Sequence, residues 1–138
     1  MPKSVLVVEN DPMSRELSRR VLVAGGYDVT CVLDGEEALR EVPRLRPDLV
    51  LMDLTLPGID GIETTRRLRA DRRTASVPIA VLSASAFGED IDRARRAGCV
   101  DYLTKPIGAR ELLERVGALL GDDPLAAGRP KRSKGGSR

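Results

Sequence analysis

The chain has 138 residues, of which 41% are hydrophobic and 32% charged, with a formal net charge of +2. That length suits one domain able to bury a core without disulfide or metal staples, and no apolar run approaches the roughly 20 residues that cross a bilayer. Histidine is absent, which excludes Ser-His-Asp and Cys-His nucleophile systems, HExxH zinc sites and a phosphohistidine carrier within the chain.

Met1-Pro2-Lys3-Ser4 leads straight into an apolar run without the h-region of a secretory signal, so a cytoplasmic protein is expected. The first strand is predicted near 4 to 9 and ends in Glu9-Asn10. Asp11-Pro12 then supplies an N-cap and a proline at the first helical position. The first helix should stop before Gly25-Gly26, with Leu17, Val21 and Ala24 as its apolar stripe. A strand near 28 to 33 leads to a second helix starting at Asp34-Gly35, which turns Ala38, Leu39 and Val42 inward and which Pro43 should keep short. The third strand, near 48 to 53, carries Leu49 to Met52 into Asp53. A helix from about Gly61 to Asp71 follows, with Ile62, Thr65 and Leu68 inward and Arg66, Arg67 and Arg69 on a solvated outer face. The fourth strand, near 78 to 83, ends at Ser83, and the helix after it, near Gly88 to Ala97, is the most polar and the expected mobile element. The last strand, near 100 to 103, precedes Lys105, and Leu112, Leu113, Val116 and Leu120 give the helix Ala109 to Leu120 its periodic face. Beyond Gly121, residues 122 to 138 lose periodicity and hold five basic residues against Asp122 and Asp123. A domain over 1–121 and a basic, disordered tail over 122–138 are expected.

Five alternations of apolar run and helix predict βαβ units and a parallel sheet. The ends of the runs then share one carboxyl edge, where open α/β sheets bind ligands. In a sheet of order 2-1-3-4-5, strands 1 and 3 are neighbours, which gathers Glu9, Asn10 and Asp53. Close carboxylates repel, and a divalent cation relieves the repulsion; Mg²⁺ suits hard oxygens and keeps waters or phosphate oxygens in its other positions. Lys105 stands out because only four of the 23 basic residues are lysines and the others are at 3, 131 and 134. A compact ammonium reaches an oxygen where a guanidinium fork does not fit. Pro106 follows it, and a cis Lys105-Pro106 bond would aim the ammonium inward. Ser83 leaves a hydroxyl at a strand end beside the small Ala84, and Tyr102 is one of two tyrosines. Cys31 and Cys99 read as small buried hydrophobes, with no metal-ligand spacing.

Glu9-Asn10, Asp53 with Leu56-Pro57-Gly58-Ile59-Asp60-Gly61, Ser83-Ala84, and Asp101-Tyr102-Leu103-Thr104-Lys105-Pro106 resemble the receiver domain of two-component response regulators over roughly residues 3 to 120. The resemblance implies a flavodoxin-like (βα)5 fold of strand order 2-1-3-4-5 with Asp53 as phospho-acceptor. It implies Mg²⁺ held by Glu9, the residue at position 10, Asp53 and the backbone carbonyl of Thr55. It implies Lys105 against the phosphoryl group, Ser83 as switch hydroxyl and Tyr102 as switch aromatic, which turns inward on phosphorylation and biases helix four, strand five and helix five. The family usually carries acids at both 9 and 10; Asn10 removes one charge, so weaker Mg²⁺ affinity is expected, with Asp11 either capping its helix or substituting as ligand.

The implied partners are a sensor histidine kinase or histidine phosphotransfer protein as donor and a downstream protein as target, with no membrane and no nucleic acid, the chain being a monomer or a phosphorylation-dependent homodimer. No output domain is expected after residue 121, and the chain is expected to be a phospho-acceptor, not an enzyme. Two alternatives stand beside this. One is a degenerate receiver acting only as a binding module, favoured by Asn10. The other is a Mg²⁺-dependent aspartyl-nucleophile phosphatase, disfavoured because Thr55 stands where such enzymes carry a second Asp.

Overall fold

A computed structural model describes residues 2–121; the predicted tail over 122–138 lies outside the described residues. Five strands and five helices alternate: β1 (Ser4–Val8), α1 (Pro12–Ala24), β2 (Asp28–Val32), α2 (Gly35–Leu45), β3 (Leu49–Met52), α3 (Gly61–Ala70), β4 (Ile79–Ser83), α4 (Gly88–Ala97), β5 (Asp101–Thr104) and α5 (Ala109–Leu120). All pairings are parallel, in the order β2-β1-β3-β4-β5. This is the parallel sheet expected from the alternation and the doubly wound, flavodoxin-like fold that the resemblance implies.

The two-residue period of the strands divides the core. Val5, Val7, Leu49, Leu51, Ala80 and Leu82 pack on one face with Leu22 of α1 and Leu112, Val116 and Leu120 of α5. Leu6, Val8, Val50 and Met52 pack on the other with Ala38 and Val42 of α2 and Leu68 of α3. Because β1, β3 and β4 are covered on both faces, their sequences read as unbroken apolar runs.

Local chemistry sets the helix starts. Asp11, Asp34 and Asp60 each accept the backbone N–H three residues on, from Ser14, Glu37 and Glu63, at 2.8 Å. Three sequence-based expectations need correction. The buried face of α1 is Ser18 and Leu22, with Val21 half-buried, while Leu17 and Ala24 are exposed. Apolar residues lie around most of this helix, so periodicity alone does not select a face, and a polar Ser18 hides the real stripe. In α2, Pro43 does not end the helix, which runs to Leu45 and closes with Arg46 in a left-handed conformation, its N–H on Val42 O at 2.8 Å. A proline in the last turn forfeits one hydrogen bond and leaves the following residues free to continue. Arg69 is not solvated. Its Nε and Nη2 donate to the Gly98 carbonyl at 3.1 and 2.8 Å, and its Nη1 donates to Ala75 O at 3.1 Å and Val77 O at 2.5 Å. That guanidinium ties the end of α3 to the loop before β4 and to the end of α4.

Candidate functional site

Register brings the polar strand ends together. Val8 pairs with both Val32 and Met52, and Ser83 pairs with Thr104. Glu9, Asp53 and Lys105 are each the first residue beyond a strand, and the ladder continues through them: Glu9 N–H donates to Val32 O at 3.0 Å, Asp53 N–H to Val8 O at 3.1 Å and Lys105 N–H to Ser83 O at 2.8 Å. Their backbones therefore have the rigidity of the sheet, while their side chains leave it at one edge.

The side chains meet there. The Lys105 ammonium donates to Glu9 Oε1 at 2.5 Å and to Asp53 Oδ2 at 3.4 Å. Glu9 and Asp53 are buried polar residues, at 5% and 8% exposure. The second oxygen of each is also held: Asp11 N–H donates to Glu9 Oε2 and Thr55 N–H to Asp53 Oδ1, both at 3.1 Å. Burial pushes the Glu9 carboxyl above its ordinary value, the Asp53 carboxylate adds to the rise, and Lys105 opposes it. For Lys105, burial works against the charged form, but Glu9 and Asp53 outweigh it and hold the ammonium above its usual range. The Lys105-Pro106 peptide bond is cis.

Gly61 lets α3 press against this edge. A Cβ there would lie 2.2 Å from the Asp53 carbonyl oxygen and 2.8 Å from Leu54 Cα, while Gly61 N–H donates to Leu54 O at 2.9 Å. Only a residue without a side chain allows the helix to start so close to the chain leaving β3.

Ser83 is buried at the end of β4, and its Oγ accepts the Ser85 N–H at 3.2 Å; Ala84 beside it is exposed. The inward turn expected of Tyr102 has no outward starting point in this structure. Its ring is already packed with Val81, Ala94 and Cys99, and its hydroxyl donates to Ser85 O at 2.9 Å. Asn10 and Asp11 are exposed, and Asp11 serves as the cap of α1. Among the described residues no group of three or more His, Cys, Asp or Glu side chains is placed to hold a metal. The acids at this edge number two, with an amide at position 10. Two carboxylates that share one ammonium still fit a cation that uses one or two carboxylates and fills its shell with water and phosphate.

Arg15 was not singled out from the sequence. From the first turns of α1 its Nη1 donates to the carbonyls of Glu9 and Asn10, both at 3.1 Å. An arginine four residues after an N-cap aspartate is the one local hint. Cys31 is half-buried at the β2 edge and Cys99 buried, both free. Among the described residues no helix is long and apolar enough to cross a membrane.

Known proteins place this edge in context. The Brucella anthropi polar-differentiation response regulator DivK is 38% identical over 122 residues, which cover 88% of this chain and 99% of DivK. The DNA-binding response regulator MtrA of Mycolicibacterium smegmatis is 43% identical over 120 residues, but this chain spans only 51% of its length. A response regulator from Chloroflexus aurantiacus superposes with a TM-score of 0.84 at 36% identity, covering 88% of this chain and 99% of that one. The receiver domain of the Pseudomonas aeruginosa sensor histidine kinase PA1611, solved with a magnesium ion coordinated in its active site cleft, superposes with a TM-score of 0.82 at 37% identity, covering 88% of this chain and all of that one. A sequence model of the response regulator receiver domain matches residues 5–117, so this chain belongs to the receiver-domain family of two-component response regulators.

Proposed function

We propose that Asp53 accepts a phosphoryl group from a phosphohistidine of a partner kinase or phosphotransfer protein. One observation carries the reading: the Asp53 carboxylate ends a buried strand beside Glu9, with one oxygen on Thr55 N–H and the other on the Lys105 ammonium. One carboxylate oxygen of Asp53 attacks phosphorus in line, the P–N bond breaks, and the imidazole leaves with its electron pair. Lys105 neutralises charge on the transferring oxygens. Mg²⁺ would be held by Glu9 and Asp53, with the Asn10 amide and the Thr55 carbonyl as further oxygens, and supplies charge neutralisation there. Asp11, committed to capping α1, is not needed as a ligand.

The phosphorylated chain signals through a changed surface over α4, β5 and α5. Supporting this, Ser85 links the parts: its N–H is on Ser83, its carbonyl on Tyr102, and its hydroxyl on Asp90 of α4 at 2.5 Å. A phosphoryl group that draws Ser83 toward it strains that chain and shifts α4. With Tyr102 already inward, the response lies in the β4–α4 loop. The unit is residues 1–121, acting on a protein target, as an acceptor with at most slow self-dephosphorylation.

Incubation with acetyl phosphate and Mg²⁺, followed by intact mass, tests the reading. A single phosphoryl adduct, absent without Mg²⁺ and absent in Asp53→Asn, is expected. No adduct would favour a binding module, and continued donor turnover would favour a phosphatase. Separately, Asn10→Asp should tighten Mg²⁺; equal affinity would remove the argument from the missing charge.

A further inference from the structure

We infer that Arg15 is a positioning residue for the cation site: it sets the backbone of the loop from Glu9 to Asp11, and this rests on the reading of that edge as a Mg²⁺ site. Its backbone N–H closes the first turn of α1 on Asp11 O at 2.9 Å, and its side chain returns over the helix start so that one nitrogen bridges the Glu9 and Asn10 carbonyls. The same loop is fixed from the opposite side by Glu9 N–H on Val32 O and internally by Asp11 N–H on Glu9 Oε2. Without Arg15, two consecutive carbonyls lose their protein donor, and the peptide that follows Asn10 is held only through Asp11 N–H on Glu9 Oε2.

A positive charge is a poor choice for this place on general grounds. The N-terminus of a helix already carries positive potential, which at α1 the Asp11 cap offsets without help from any acid in the first turn. A cation beside a divalent-ion site also repels the ion. Two effects therefore oppose one another. The guanidinium charge disfavours Mg²⁺, whereas its hydrogen bonds orient the loop and occupy two carbonyl oxygens that would otherwise compete as ligands, which restricts the ion to side-chain oxygens and the Thr55 carbonyl. Outer-shell partners of this kind are worth about tenfold or more in metal affinity, and the site has little affinity to spare with an amide at position 10. The orienting effect therefore dominates.

Calorimetric titration of the full chain with MgCl₂ decides between the two, comparing wild type with Arg15→Met and Arg15→Lys. Arg15→Met should bind Mg²⁺ about tenfold more weakly, with shifted ¹⁵N–¹H resonances for Asn10 and Asp11, and Arg15→Lys should recover part of the loss because one ammonium has donors for both carbonyls. Tighter or unchanged binding by Arg15→Met overturns the proposal, the first showing that charge repulsion governs and the second that the bonds are only structural. If Arg15→Met does not fold, the same comparison with Arg15→Lys and Arg15→Gln applies. Wild type showing no saturable Mg²⁺ binding would instead overturn the cation-site reading itself.

Discussion

Replacing Gly61 by alanine adds one methyl group against the backbone that carries Asp53. The new carbon would sit 2.2 Å from the Asp53 carbonyl oxygen and 2.8 Å from Leu54 Cα. Van der Waals contact between such atoms begins above 3 Å, so α3 and the chain leaving β3 must separate by about 1 Å. Neither clashing atom belongs to a flexible side chain, which puts the expected loss at the upper end of overpacking, about 3 kcal/mol. For a domain of this size that lowers the melting temperature by roughly 10 °C. The same displacement moves the Asp53 carboxylate, the proposed acceptor, relative to Lys105, and misplacement of a reacting group by ~1 Å costs about 10²-fold in rate. Gly88 is the control, since a Cβ there meets nothing within 4 Å; Gly88→Ala should leave both properties unchanged or raise stability by about 0.5 kcal/mol. Urea unfolding and the rate of adduct formation from acetyl phosphate read the two effects. Wild-type stability and rate in Gly61→Ala would show that the helix start yields freely and would refute the claim that glycine positions Asp53.

Lys105→Met removes the ammonium from Glu9 and Asp53, leaving two buried carboxylates facing each other; the Lys105 side chain is itself 22% exposed, so a loss of about 2 kcal/mol is expected at pH 7 rather than the full cost of breaking a fully buried pair. Burial holds the Glu9 carboxyl above its ordinary value of 4.5, so the penalty of its charged form is present above the folded pKa and relieved as pH falls through it; the deficit of Lys105→Met against wild type should shrink as pH falls from neutral toward that ordinary value, and a pH-independent deficit would contradict the repulsion argument. Arg69→Met strands the carbonyls of Gly98, Ala75 and Val77 and should cost about 3 kcal/mol, with Arg69→Lys recovering less than half because the fork, not the charge alone, makes the contacts; equal denaturation midpoints for Lys and Arg would show otherwise. The Glu16 carboxyl, held at about 2 by Arg19 and Arg20, contributes stability that is present above its unfolded pKa near 4.5 and fades as pH falls toward 2, so the difference between wild type and Glu16→Gln should vanish by pH 2 and weaken in high salt.

The order of elements was readable because each strand buried on both faces is a continuous apolar run and three of the helices announce themselves with an aspartate cap. The edge that carries Glu9, Asp53, Ser83 and Lys105 was readable for a related reason: chain polarity in a parallel sheet sends every strand end the same way, so residues far apart in sequence need only end their strands to become neighbours. Lys105, one of four lysines and the one between residues 4 and 130, was marked by composition. What the sequence left open are contacts made by one side chain to another segment's backbone. Arg69 on the Gly98 and Val77 carbonyls and Arg15 on the Glu9 and Asn10 carbonyls carry no pattern, because a carbonyl is present at every residue and only packing decides which one an arginine meets. The buried face of α1 and the inward Tyr102 belong to the same class, since several rotations of that helix bury similar apolar area and the ring settles where Ala94 and Cys99 leave room. The one-dimensional pattern determines where the chain turns and which ends meet, while the fit between finished elements determines what holds them there.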